Sequence, residues 1–402
     1  VKKGLNEKMV IYNARIKTMN GADIENGYVE FKNGKITIVS PGKPATTGND
    51  DIDAKGHTLC PGFIDAHSHL GVFENGLGFE GTDANEITDP AMPHLRAIDM
   101  INPRDFSFEE AAKAGVTCVV TGVGSANPMG GELLVMKTAG SQRIDKMIVK
   151  SPMALKFALG ENPKTCYNDR DETPTTRMAV AAIIREQLYK AKRYMEQLDK
   201  SKKSKDTDPP EYDIKNEALM PLLRGEINAH IHCHRADDIF TAIRLAKEFG
   251  FGYVIVHATE GGIISGELKE EGASCIVGPI ICERSKPELA NLRIDTAAKL
   301  HAAGVPVALC TDHPVTPVQY LPLTAGLAVK GGLPEDEALR AITINAAKIC
   351  KIADRVGSIE VGKDADFVLL ERDGKFYDFM KDPKLVVIDG KIICRNDVLI
   401  PH

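Results

Sequence analysis

The 402-residue chain has no tryptophan, and Phe, Trp and Tyr together make up only 5% of it. It has no stretch of about 18 uninterrupted apolar residues, which excludes an ordinary transmembrane helix. It has no excess of basic residues: the formal charge of -6 leaves no footprint for nucleic acid or for an acidic membrane surface. Residues 1–8 have no apolar core of the kind a secretory signal needs, so a cytoplasmic location is expected. None of the nine cysteines stands in a Cys-x-x-Cys pair, and most lie in apolar runs. That pattern fits buried, reduced thiols better than a disulfide framework. Cys233, between His232 and His234, points to the opposite face of its strand and reads as core.

What is present is ordinary for a globular protein: 43% apolar and 26% charged residues. The length suits an α/β barrel with an accessory module. Residues 9–58 alternate short β-rich runs with turns, and Asn33-Gly34 is a strong hairpin signal. From residue 59 the grammar becomes strand, loop, helix. Eight apolar candidate strands can be counted: Leu59–Asp65, Val116–Thr121, Leu133–Met136, Met153–Ala158, Ile227–His232, Tyr253–His257, Ser274–Val277 and Val305–Cys310. Continuous apolar strands suit a parallel sheet buried on both faces, and the count is that of a (β/α)8 barrel. Amphipathic helices are expected over Asp237–Phe249, Glu288–Ala303 and Glu335–Ile349. After residue 356 the β grammar returns, with Asp389-Gly390 as a second hairpin turn. The expected division is a discontinuous β module (1–58 and 357–402) beside a barrel (59–356).

The chemistry gathers at strand ends. The run Leu59 to Asp65 leads into His67 and His69, which alternate onto one face and can bite one divalent metal. His230, His232 and His234 share a face of a later strand, where three imidazoles are hard to satisfy without a metal or polar partners. His257 and Asp312 each end an apolar strand, and a carboxylate there needs a cation or a donor. Lys156, inside Ala154–Ala158, is expected to be buried, which favours its neutral amine. A neutral amine can take up carbon dioxide as a carbamate; alternatively Lys156 pairs with Glu161, or Glu161 itself is the oxygen ligand. Arg177 and Lys164 could hold a substrate carboxylate, and Gly122–Gly131 could bring backbone close to a ligand. Gly71 to Asp105, directly after His69, reads as a substrate-covering loop.

Pro61-Gly-Phe-Ile-Asp-Ala-His67-Ser-His69, Thr311-Asp312-His313, Thr343-x-Asn345-Ala346-Ala347 and Gly357-Ser-Ile-Glu-x-Gly-Lys-Asp-Ala-Asp366 together resemble the metal-dependent amidohydrolase superfamily, near its imidazolonepropionase-related and dipeptidase branches. The resemblance covers essentially the whole chain. It implies a distorted TIM barrel plus a small β-sandwich built from both termini. It also implies a ligand set of His67, His69, carbamylated Lys156 or Glu161, a fifth-strand histidine, His257 and Asp312. Spacing back from the helix near Asp238 favours His232 for the fifth strand. The expected cofactor is one or two divalent ions, zinc first, manganese or iron otherwise. The metal would lower the pKa of a water, Asp312 would act as base and then acid, and the metal or His257 would polarise the carbonyl. The expected reaction is hydrolysis of an amide-type C–N bond in a small cyclic amide, N-acyl compound or peptide. The rivals are a mononuclear heterocycle deaminase and a non-catalytic scaffold. The expected partner is a small-molecule substrate, with a homo-oligomer compatible.

Overall fold

The apolar run that leads into the His-x-His pair does not form one strand. A computed structural model describes residues 8–204, 206–372, 374–396 and 398–400. In it the run divides at Gly62: Thr58–Pro61 joins a sheet built from the termini, and Phe63–Asp65 opens a barrel. A Cβ at residue 62 would lie 2.0 Å from Thr117 Oγ1, so the crossing needs glycine.

The barrel has eight strands: Phe63–Asp65, Val116–Gly122, Met129–Lys137, Ile148–Ala158, Asn228–Cys233, Tyr253–His257, Cys275–Val277 and Val307–Leu309. Most of their residues are buried, as continuous apolar strands between two layers must be. The last strand returns to the first through Asp312 N–His67 O at 3.1 Å and His69 N–His313 O at 2.9 Å. Strand-helix alternation fails in one place. The third strand runs antiparallel to both its neighbours, and no α-helix separates it from either. The residues between the second and third strands, 123–128, are too few for a crossover, so the chain must turn straight back. The distortion of the barrel takes this form.

Two expected helices also differ. Glu288–Ala303 is a single turn at Pro287–Leu289, irregular chain, and then a helix at Thr296–Ala302. Asp295, which binds Arg293 and Lys299 at 3.0 Å each, marks where that helix begins. Glu335–Ile349 is two helices, Glu335–Ala341 and Ile344–Ile349, broken where Thr343 leaves the helical conformation (φ -137, ψ -103) and bonds Leu339 O through its hydroxyl. By contrast, Ala236–Phe249 is amphipathic along its length and stops at left-handed Gly250.

Among the described residues the terminal sheet has nine strands, with Thr58–Pro61 joining the N-terminal Met9–Ile16 to the C-terminal Phe367–Leu370. Asn33-Gly34 and Asp389-Gly390 both adopt positive φ, as two-residue hairpin turns with the right twist require. The sheet curls on itself: the Phe31 and Phe367 rings lie 5.4 Å apart although two strands separate theirs in the hydrogen-bonded order. Among the described residues no helix is long and apolar enough to cross a membrane, and none of the nine cysteines is in a disulfide.

Candidate metal centre

His67 and His69 lie just past the end of the first strand, not within it, yet their rings are 5.1 Å apart and both reach Asp312. Their Nε2 atoms are 3.5 and 3.3 Å from Asp312 Oδ1. Buried Asp65 sets this convergence by accepting from the backbone N–H groups of His67 and Thr311 and from the Thr311 hydroxyl, which clamps the first strand end to the last. Burial pushes Asp65 up to about 7. Asp312 itself has φ 54, a left-handed conformation costly for a non-glycine residue. Its N–H bonds His67 O and its carbonyl accepts from Val315 N, which hold it there.

The imidazole tautomers are informative. His69 Nδ1 is 2.8 Å from Gly122 O, and a carbonyl can only accept, so Nδ1 carries the proton. The Nε2 lone pair then faces a carboxylate oxygen. Two acceptors this close in a buried site need a cation between them. Burial pushes His67 well below its ordinary value, which opposes a proton as that cation. Burial alone would raise Asp312, but the carboxyl is held below the usual range, the buried Lys156 being among the groups that oppose burial.

A second group shares a member with the first. His257 Nδ1 donates to Gly278 O at 2.7 Å, leaving Nε2 buried without a partner. The His257 ring stacks on His234 at 4.7 Å and meets His232 edge-on at 4.5 Å. His67, His257 and Asp312 offer ligand atoms within 4.8 Å of one another, and so do His232, His234 and His257. Burial lowers His232 and His257 well below 6.5 and His234 to about 4. All three are therefore neutral at physiological pH, the form that binds metal.

Lys156 is fully buried with Nζ 3.0 Å from His67 Nε2. Burial lowers its pKa to about 8, with Asp312 opposing. Glu161, the alternative oxygen ligand, lies in neither group. Gly160 (φ 87) turns the chain there, Glu161 begins the helix Glu161–Asn168, and its Oε2 accepts from Glu288 N at 3.3 Å. His230 is also outside both groups, deeper in the barrel beside Lys156 on the neighbouring strand, with neither nitrogen hydrogen-bonded. His232 is joined in its group by His234, which spacing had not favoured. Arg177 shares its Nε–H between both Asp238 carboxylate oxygens at 3.0 and 3.1 Å. Glu288, absent from the expected set, is buried against His232 and His234. An expected helix over its segment hid it.

The amidohydrolase family model matches residues 58–393. Amidohydrolase tasK of Hapsidospora irregularis is 29% identical over 373 residues, covering 86% of this chain; the chain spans 38% of that protein's length. Imidazolonepropionase of Phocaeicola vulgatus is 26% identical over 450 residues, covering 98% of this chain and 100% of that one. The crystal structure of an amidohydrolase from Thermotoga maritima MSB8 superposes with a TM-score of 0.91 at 42% identity, covering 96% of this chain and 100% of that one. By family match, fold and the histidine-rich strand ends, the chain belongs to the amidohydrolase family.

Proposed function

We propose that the protein is a metal-dependent hydrolase of an amide-type C–N bond in a small cyclic amide, N-acyl compound or peptide. The observation that carries this is the meeting of the His69 Nε2 lone pair with Asp312 Oδ1, two acceptors that call for a cation, with His67 Nε2 3.5 Å from the same oxygen. His67, His69 and Asp312 would hold one divalent ion, and His232 and His257 a second. Lys156, whose neutral amine is accessible near neutral pH, would bridge them as its carbamate. Zinc fits the nitrogen-rich set best, with manganese or iron as alternatives. A divalent ion there supplies Lewis acidity and a water of lowered pKa.

The remaining work falls to the chain. Asp312 takes the nucleophile's proton and returns it to the leaving nitrogen, as its position against both histidines suits. His257 keeps its Nε2 lone pair turned into the site because Gly278 O fixes its other nitrogen. A cavity of about 360 Å³ lined by Ala126, Glu161, Asn162, Thr165, Cys166 and Lys286 lies beside His232, a volume suited to a small molecule. The loop after His69 packs Phe73 on the His69 ring 5.9 Å away and would shield this side from water.

The test is metal content per chain after purification without chelator, with intact mass in the presence and absence of bicarbonate. Bound divalent metal, a carbon-dioxide adduct at Lys156 and turnover of N-acyl amino acids, dipeptides or cyclic amides are expected. Failure to bind any metal after reconstitution would overturn the reading in favour of a scaffold.

A further inference from the structure

The loop after the seventh barrel strand buries a carboxylate that the groups above leave unexplained. Glu288 sits on the turn Pro287–Leu289 with its side chain 1% exposed. Its Oε2 accepts from Glu161 N at 3.0 Å, and the Glu161 carboxylate in turn accepts from Glu288 N at 3.3 Å, which ties the two residues together. A Cβ at Gly160 would lie 3.0 Å from that same Oε2, so glycine there keeps the space open. The other oxygen, Oε1, is buried and has no hydrogen-bond partner. A buried carboxylate oxygen without a donor is costly.

Three groups face Oε1: His234 Nε2 at 3.6 Å, His232 Nε2 at 3.8 Å and Lys286 Nζ at 3.8 Å. Lys286 is beyond hydrogen-bond length and is engaged with Asn162 Oδ1 at 2.6 Å. That bond orients the amide so that Asn162 Nδ2 points to His232 Nε2, 3.3 Å away, which makes Nε2 an acceptor. The His232 Nε2 lone pair, met by the Asn162 amide at 3.3 Å, and the unpartnered Glu288 oxygen therefore face one another, both of them acceptors. Nitrogen and oxygen ligands about a tetrahedral ion stand roughly 3.3–3.5 Å apart, and the two Glu288 separations exceed this by a few tenths of an ångström.

We propose that Glu288 Oε1 is a ligand of a second divalent cation, held with His232 and His234 beside His257. The inference rests on the metal-dependent reading above but adds a carboxylate from the seventh-strand loop. The second ion then has an oxygen ligand of its own, whether or not Lys156 is modified.

The experiment is equilibrium dialysis of metal-stripped full-length protein against Zn²⁺, with bound metal measured by elemental analysis. Wild type is expected to bind two equivalents. Glu288→Gln should keep one and hold the second more than about 100-fold less tightly, since removing even an outer-shell partner can cost that much. Lys286→Met should keep both. Two equivalents of unchanged affinity in Glu288→Gln would overturn the proposal, as would loss of the second equivalent in Lys286→Met alone. A single equivalent in wild type, unchanged in Glu288→Gln, would also overturn it while leaving the hydrolase reading on His67, His69 and Asp312. No bound metal in any form would overturn both. If Glu288→Gln lacks native circular dichroism, Glu288→Asp serves in its place. It keeps the charge but withdraws the oxygen by one methylene, so an unchanged second affinity would again count against the ligand.

Discussion

Two lysines of the barrel are almost completely buried, and their surroundings are opposite. Lys137, at the end of the reversed third strand, lies where the barrel meets the terminal sheet, with Nζ 3.1 Å from carboxylate oxygens of both Asp364 and Asp389 and bonded to Asp366. Lys156, on the fourth strand at the barrel mouth, meets His67 and has neighbouring histidines instead of a carboxylate at bonding distance. Burial opposes the charge on both. At the seam Asp366, Asp389 and Asp364 overcome it and hold Lys137 well above its ordinary value. At the mouth burial prevails and Lys156 falls to about 8. One buried lysine is therefore a charge that joins two sheets, and the other is the amine that the proposed function would use as a carbamate. Burial alone does not mark a functional lysine; the count of carboxylates around it does.

The largest expected effect separates the mouth from the seam by activity. Asp312→Asn should lower kcat by about 10²–10⁴-fold, the range of a lost general acid–base, while the first metal equivalent is retained. Asp364→Asn at the seam should leave kcat within a few-fold of wild type in the folded fraction. Steady-state kinetics with metal analysis checks both, and full activity in Asp312→Asn would remove that residue from the mechanism.

Stability should separate the two lysines in the opposite direction. Lys137→Met leaves Asp364, Asp366 and Asp389 facing one another without their shared cation, and breaking a buried pair costs about 3–5 kcal/mol. Lys156→Met removes a poorly compensated buried amine, so metal-free protein should be no less stable, or more so. Urea unfolding of both variants without metal reads the contrast. Equal losses would mean that the two sites are both structural.

Chelation should sharpen the same division. Metal bound only by the folded state adds RT ln(1 + [L]/Kd), about 2.7 kcal/mol when free metal is 100 times Kd. Wild type and Lys137→Met should therefore show the same drop in Tm on chelator treatment, and Asp312→Asn a smaller one. A chelator response that vanished in Lys137→Met would place the ion at the seam.

Most of the candidate site was legible where a polar residue ends or follows an apolar run. His67, His69, His257 and Asp312 could be picked out because a polar group there interrupts a run that must be buried. Lys156 was legible for the same reason. Lys137 was not, because a lysine at a strand end reads as solvent-facing until the terminal sheet covers it. The reversed third strand escaped because an apolar run carries no sign of its direction; only the short 123–128 connection does. Glu288 was hidden by a helical pattern over 288–303 that would have left it on a solvated face, whereas tertiary contacts to Glu161 and His234 turn it inward. Glu161 stands outside both histidine groups because Gly160 turns the chain there, which spacing does not encode.

The smallest expected effect lies within the seam and concerns pH. Asp366 is raised to about 6, chiefly because burial disfavours its carboxylate, with Lys137 opposing and Asp389 adding to the rise. A folded-state pKa above the unfolded value of 3.8 means that the native protein holds a proton which the unfolded chain has already released. The resulting contribution is full below pH 3.8 and is lost as pH rises through about 6. Asp364 has the opposite sign: burial raises it, but Lys137, Lys35 and Arg355 hold it below its ordinary value, so its contribution is lost on acidification. The two act in different windows, Asp364 below 3.8 and Asp366 between 3.8 and about 6. Asp366→Asn should remove the first alone, leaving stability that rises more steeply with pH between 4 and 6 than in wild type. Unfolding free energies across that window check it, and an unchanged slope would mean that Lys137 keeps Asp366 ionised throughout, making the seam a fully charged cluster and the contrast with the mouth still wider.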